Sequence, residues 1–250
     1  MREERVTLAP LPLSELTEWR EQYGVVAGIT ERGEGGDFSM ALWSEGPAIG
    51  VSERWRAFRR WMAHRFHVLV MAQQVHGAEV RWHAGLEPGW HVGDEYDGHL
   101  TREPGVLLAV TVADCIPIYL LDRRGEGLGL LHAGWRGTAA GMLEAGVRGL
   151  CERVGAKPAD LAVHLGVGIC GACYQVPPEV AAAVRGTGAS GPVQLDLRAE
   201  LAERARRLGV SEVSVSPLCS SCQSKRFFSH RASHGAGGRM VAYVGRPEGT

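Results

Sequence analysis

Three short segments carry residues that could do chemistry together: Gln74-Val75-His76-Gly77, Ala113-Asp114-Cys115 and His132-Ala133-Gly134-Trp135-Arg136-Gly137. Each offers one borderline or soft metal ligand, His76, Cys115 or His132, beside residues that need special backbone geometry. Two imidazoles and one thiolate suit zinc and leave a fourth coordination position open, the feature that separates a catalytic zinc site from a structural one. Taken singly, each histidine has an ordinary reading as a satisfied polar residue, and Cys115 as a small core residue.

Two Cys-x-x-Cys pairs, Cys170/Cys173 and Cys219/Cys222, stand apart from these segments. Their spacing suits a structural zinc site with four cysteine ligands and equally suits two redox pairs. A third reading is a packed loop against the active-site region, suggested by the neighbouring glycines and Tyr174-Gln175-Val176.

The elements that must position these residues follow from hydrophobic periodicity. His67 to Ala72 reads as a buried strand that delivers Gln73 to His76 at its end, and Val106 to Ala113 and Ile116 to Asp122 as β-rich runs. Arg123-Arg124-Gly125 then turns into a strand over Leu128 to His132. Ser52 is the expected cap of a helix with Trp55, Phe58 and Met62 on one face. A helix is expected after Gly137, with Leu143, Val147, Leu150 and Val154 as its stripe. Asp196 is the expected cap of a third, with Leu197, Leu201, Ala205 and Leu208 inward. Leu161 to Gly168, Val213 to Val215 and Met240 to Val244 read as further strands. Gly166-Val167-Gly168-Ile169-Cys170-Gly171 has dinucleotide-fingerprint spacing, but Pro177 and Pro178 follow where a helix should start, so it reads as a loop. No repeat and no linker divides residues 1–250.

Composition excludes several classes. An apolar content of 45% and a charged content of 22% are ordinary for a soluble globular protein. A net charge of −1 gives no global field for nucleic acid. Lys157 and Lys225 are the only lysines, so nearly all positive charge is arginine, which suits bidentate phosphate contacts but does not by itself show them. Met1-Arg2-Glu3-Glu4-Arg5 has no secretory pattern, and Asp114 and Pro117 break the longest apolar stretch, so the expectation is a cytoplasmic protein off the membrane, with its six cysteines as thiols.

The three opening segments, in that order, resemble the laccase-domain or YfiH family, also called multicopper-oxidase-like "polyphenol oxidases". The likeness runs from Ile29-Thr30-Glu31-Arg32 to Phe227-Phe228-Ser229-His230-Arg231 and Gly238-Arg239-Met240, with Leu131 to Gly137 its most specific part. The resemblance implies a single compact α/β (α+β) domain with mixed β-sheets flanked by helices. It places the family's three metal ligands on His76, Cys115 and His132. It further implies a zinc-dependent purine nucleoside enzyme, with phosphorolysis of adenosine, inosine and methylthioadenosine, and adenosine deamination beside it. Purine nucleosides and phosphate would be its partners, and a homodimer is compatible with the pattern.

Deamination needs water activated by zinc and a general acid and base that is not a ligand. Asp114 and Glu79 are the candidates, with Asp97 a third because the family has an acidic residue there. Phosphorolysis needs an anion held beneath a ribose whose transition state resembles an oxocarbenium ion. Arg32, Arg136 and Arg231 are the candidate phosphate ligands, with Arg136 in a tight glycine-flanked loop. Trp135 and Phe228 could stack on a base or belong to the core. The chain departs from the family pattern at Gly35-Gly36-Asp37-Phe38, at Phe38 to Trp43, where an asparagine is absent, and at His230 and Ala232. Substrate contacts there transfer least.

Two other chemistries compete. Copper-dependent phenol oxidation needs several coppers and His-x-His pairs; ten histidines without one such pair argue against it and make copper the less favoured metal. A cysteine hydrolase would use Cys115 as nucleophile with a histidine base. One sulfur cannot be nucleophile and zinc ligand in the same state, so tightly bound metal decides between them.

Overall fold

The computed structural model describes residues 1, 3–7, 9–36, 38–43, 48–188 and 190–249; Arg2 and Asp37 lie outside the described residues. In chain order the elements are β1 (Glu4–Arg5), β2 (Leu13–Glu15), α1 (Thr17–Tyr23), β3 (Val26–Thr30), α2 (Ala48–Met62), β4 (Val68–Gln73), β5 (Val80–His83), β6 (Gly89–Asp94), β7 (Gly98–Thr101), β8 (Val106–Val112), β9 (Ile116–Asp122) and β10 (Leu128–Ala133). Then come α3 (Trp135–Ala139), α4 (Met142–Val154), β11 (Leu161–Leu165), β12 (Gln175–Val176), α5 (Pro178–Arg185), β13 (Val193–Gln194), α6 (Leu197–Arg207), β14 (Glu212–Val215) and β15 (Met240–Gly245).

Two mixed sheets stack face to face. One runs β1-β2-β3-β15-β8-β4-β6 and the other β14-β11-β9-β10-β7-β5. Strand alternation sets the layers. Val106, Leu108, Val110 and Val112 of β8 meet Tyr119, Leu121, Leu128 and Leu130 between the sheets. Leu107 and Ala109 face the opposite way, with Trp55, Phe58 and Met62 of α2. Ile116, Ile118 and Leu120 of β9 pack under Leu143, Val147 and Leu150 of α4 and Leu197 and Leu201 of α6. The result is four layers, helix, sheet, sheet and helices, in a single α/β domain. Strands buried on both faces need apolar residues at every position, which is why their sequences read as unbroken apolar runs.

Local expectations meet the structure unevenly. Asp196 caps α6, its carboxylate accepting from the Arg198 and Ala199 amides at 3.0 and 3.1 Å. Ser52 does not cap α2, which begins at Ala48, one turn earlier. The helix expected after Gly137 is preceded by α3, so Arg136 stands on a helical turn and not in a loop. Gly134, extended at φ −82° and ψ −173°, lets that turn start immediately after β10. The glycine-rich stretch after β11 ends in a 3-10 turn over Gly171–Cys173, as a loop reading requires. No helix among the described residues is long and apolar enough to cross a membrane.

The amino-terminal segment is fastened by a buried carboxylate that meets an imidazole and a hydroxyl. Glu3 accepts from His164 Nε2 at 3.2 Å and from the Ser216 hydroxyl at 2.7 Å. Burial pushes the Glu3 carboxyl up, but His164 and Ser216 more than reverse this and hold it below its ordinary value. A lowered carboxyl pKa stabilises the fold above the unfolded pKa, and that contribution disappears as pH falls through the folded value. Glu3→Gln is therefore expected to lower the urea midpoint at pH 7, with the gap to wild type closing below about pH 4. A pH-independent gap would refute the ionic contribution.

Candidate active site

The three ligand segments converge because of how the two sheets are joined. His76 follows β4 in the first sheet, Cys115 lies in the three-residue passage from β8 in the first sheet to β9 in the second, and His132 lies on β10 of the second. Their ligand atoms all lie within 4.8 Å of one another. The His76 and His132 rings meet edge to face, with centroids 4.9 Å apart. A Cβ on Gly134 would stand 2.9 Å from Cys115 Sγ, so glycine is required for the sulfur to approach β10 this closely.

Asp97 holds the cluster in place. Its Oδ2 accepts from the backbone amides of Val75 and Gly77 at 3.0 and 2.9 Å. Its Oδ1 accepts from the His76 amide at 2.9 Å and lies 2.8 Å from His132 Nδ1. His76 is left-handed at φ 60°, costly for a non-glycine residue, and these bonds maintain it. Asp97 also orients the His132 ring, so that Nε2 remains for Cys115 or a metal. Asp97 is fully buried with both oxygens engaged, the arrangement of a positioning carboxylate and not of a free acid or base.

Electrostatics couple the pair. Burial alone would raise the Cys115 thiol, but His132 and His76 draw it well below its usual value. Burial alone would lower His132, but Cys115 and Asp97 raise it. Without metal the pair thus favours a thiolate beside a protonated imidazole, and a metal taking both would displace the proton from His132.

Asp114, left-handed at φ 82°, ties Cys115 to two distant loops. Its Oδ1 accepts from the Ser220 hydroxyl at 2.6 Å and its Oδ2 from the Arg231 amide at 2.7 Å.

A cavity of about 630 Å³ opens over the three ligands. Arg136, Arg231 and Arg239 line it together with Trp43, Trp135 and Tyr174. Arg136 lies over the Trp135 ring at 4.5 Å, and Arg231 over Tyr174 at 5.0 Å. Of the sequence candidates, His76, Asp114, Cys115, His132, Arg136 and Arg231 meet in this cavity. Two do not line it. Glu79 is exposed and paired with Arg81 at 2.8 Å. Arg32 is spent on the carbonyls of Gly36 and Ser224 and lies over Phe228, which is buried in the core between the sheets. Both corrections share a cause: residues close in sequence to a motif, or within it, can point along a strand or into a loop contact away from the site.

Sequence reasoning did not single out Gln74, Trp43 and Arg239 as site residues. Gln74 accepts from the Thr111 amide at 2.7 Å and donates to its carbonyl at 2.9 Å, fixing the start of the His76 loop against β8. Trp43 is 47% exposed at the cavity, an unusual place for so large an apolar ring, and only tertiary structure reveals it. The glycines before Arg239 were the available signal: Arg239 donates to the carbonyls of Gly237 and Gly238, both at 3.0 Å.

Four further cysteines, Cys170, Cys173, Cys219 and Cys222, also cluster, with their sulfurs within 4.8 Å of one another, and suggest a metal site.

Comparison with known proteins places this geometry among relatives. Residues 28–247 match the model of the family described as multi-copper polyphenol oxidoreductase laccase. Over 250 aligned positions the chain is 34% identical to the purine nucleoside phosphorylase YlmD of Geobacillus stearothermophilus, covering 90% of this chain and 91% of that one. It is 36% identical to a purine nucleoside phosphorylase of Deinococcus radiodurans, over 70% of this chain and 68% of the relative. The crystal structure of the Geobacillus stearothermophilus protein superposes with a TM-score of 0.87 over 98% of this chain and all of that one. The Bacillus licheniformis hypothetical protein YfiH superposes with a TM-score of 0.84 at 26% identity, over 96% and 98% of the two chains.

Proposed function

Because this chain belongs to the multi-copper polyphenol oxidoreductase laccase family, with relatives named purine nucleoside phosphorylases, we propose that it is a zinc-dependent purine nucleoside phosphorylase. The observation that carries this reading is one cavity in which a His-Cys-His ligand set faces three arginines and three aromatic rings. Its substrates are adenosine, inosine and methylthioadenosine, with phosphate as the second reactant.

His76, Cys115 and His132 fit zinc by donor type and spacing, and no fourth protein ligand completes the set among the described residues. Bound there, zinc supplies Lewis-acid stabilisation at the open face of the cavity. Asp97 keeps His132 in the tautomer that presents Nε2. Arg136 and Arg231 hold phosphate, matching its oxygens with forked N–H donors. A phosphate oxygen forms the bond to the ribose C1′ as the bond to the purine N9 breaks; the base leaves with the electron pair and takes the proton that the hydrogen phosphate gives up. The arginines also place the phosphate anion close to the cationic ribose, which lowers the barrier. Trp43, Trp135 and Tyr174 offer ring faces to the purine. Adenosine deamination would be a companion activity at the base and not at the ribose: water, activated by the zinc were it bound, would add to the purine C6 and ammonia would leave, with the C1′–N9 bond intact.

The direct test is incubation with adenosine, with and without phosphate. Adenine and ribose 1-phosphate are expected only with phosphate. Inosine formed independently of phosphate would report deamination. Arg136→Ala is expected to raise KM for phosphate about 10- to 100-fold, the loss of one charged hydrogen bond, with KM for the nucleoside little changed. An unchanged phosphate KM would remove Arg136 from that role.

One observation favours a second reading. Cys115, His132 and Asp97 form a thiolate–imidazole–carboxylate chain, an order that also serves a cysteine hydrolase. Activity that survives complete removal of zinc, and is destroyed by alkylation of Cys115, would favour it.

A further inference from the structure

Cys170, Cys173, Cys219 and Cys222 take no part in the chemistry above. They come from two turns joined by a bridge between Gly168 and Cys219. Cys222 Sγ lies 3.8 Å from Cys170 Sγ and 3.3 Å from Cys173 Sγ, far beyond the bond length of about 2.05 Å in a disulfide. Cys219 Sγ accepts two backbone amides, from Cys170 at 3.3 Å and Cys222 at 3.4 Å. A divalent cation placed among four sulfurs this close would be bound by all of them at once. Four sulfurs from two Cys-x-x-Cys turns are the donor set of a closed, tetrahedral zinc site.

We propose that these four cysteines bind a second, structural zinc ion that clamps the Cys219–Cys222 turn to the loop whose Ile169 and Tyr174 line the cavity. The clamp reaches the active site through short paths. Ile169, beside Cys170, donates its amide to the Asp114 carbonyl at 2.9 Å, and Ser220, beside Cys219, donates to the Asp114 carboxylate at 2.6 Å. Tyr174 follows Cys173 directly, and Arg231 donates to the Gln175 carbonyl at 2.8 Å. Asp114 in turn neighbours Cys115. The second zinc therefore sets the position of the wall that carries Tyr174 and Arg231, and touches no reacting atom.

The claim that zinc binds here rests on the cysteine geometry alone; its effect on turnover rests on the phosphorylase reading. The test is metal analysis of protein expressed with zinc and purified under reducing conditions. Wild type is expected to hold about two zinc ions per chain, and Cys173→Ser/Cys222→Ser and His76→Ala about one each. After cobalt replacement, His76→Ala should keep most of the thiolate-to-cobalt charge-transfer absorption, and the double variant should lose most of it. The double variant should also melt lower and show about a tenfold higher KM for phosphate. One zinc per wild-type chain, lost completely in His76→Ala, would overturn the proposal. Iron in place of zinc, or a disulfide among these cysteines in the reduced preparation, would do so as well. The wild-type count decides even if the double variant does not fold. Two zinc ions in a protein that cleaves no nucleoside would refute the phosphorylase reading and leave this site standing.

Discussion

On the proposed reading, replacing Cys115 or His76 with alanine is expected to lower phosphorolysis of adenosine by about 10²- to 10⁴-fold, the range expected when several kcal/mol of Lewis-acid stabilisation are lost. Each substitution leaves two of three ligands, and zinc content should fall by about one ion per chain. The fold should survive, because His76 is exposed and Cys115 is half-buried at the cavity surface, away from the main packing layers. Gly134→Ala provides a control that touches no ligand chemically. Its Cβ would stand 2.9 Å from Cys115 Sγ, so the sulfur must move and the same zinc should be weakened. Kinetics and metal analysis on one set of preparations check all three variants. A Cys115→Ala protein with normal zinc and normal turnover would remove this centre from the reaction.

Asp97→Asn should be almost as damaging, although Asp97 touches no substrate in this scheme. Each carboxylate oxygen accepts from two donors: Oδ2 from Val75 and Gly77, Oδ1 from His76 and His132. Asparagine has one oxygen and one NH2 group, so either orientation sets donor against donor at two of the four contacts. Leaving buried donors unpaired costs about 2–5 kcal/mol in total. The left-handed His76 backbone loses its support, and the His132 ring loses its fixed tautomer. Zinc affinity is expected to fall about 10- to 100-fold. Urea denaturation and competition against a zinc chelator measure the two effects separately. Wild-type values in both would show that Asp97 does not position the cluster.

The candidate ligands His76, Cys115 and His132 were legible in the sequence through the motifs shared with the family, and the apolar strands beside them show why the three segments can meet. The four-layer order was not, because a strand buried on both faces has no polar side to reveal which sheet it joins. β8 and β9 read alike, yet they belong to different sheets, and the passage between them carries Asp114 and Cys115. Arg136 belonged to a recognisable motif but was placed in a loop, since a five-residue helix begun by glycine leaves little periodic signal. Glu79 and Arg32 lie near the candidate segments but do not line the cavity, because orientation depends on contacts with Arg81 and with the Ser224 loop.

Asp97 marks the boundary most clearly. Its sequence context, Tyr-Asp-Gly, announces a carboxylate but not its work, which needs three amides from one loop and an imidazole from a strand 35 residues away. By itself the sequence determined the ligand types, the apolar strands that carry them and the two Cys-x-x-Cys pairs. Only the tertiary structure decided that both sets of candidate ligands converge, which arginines face the cavity and which carboxylate holds the His76 loop. Residue type and local periodicity act over a few positions, whereas convergence depends on how two sheets stack, a property of buried surfaces far apart along the chain.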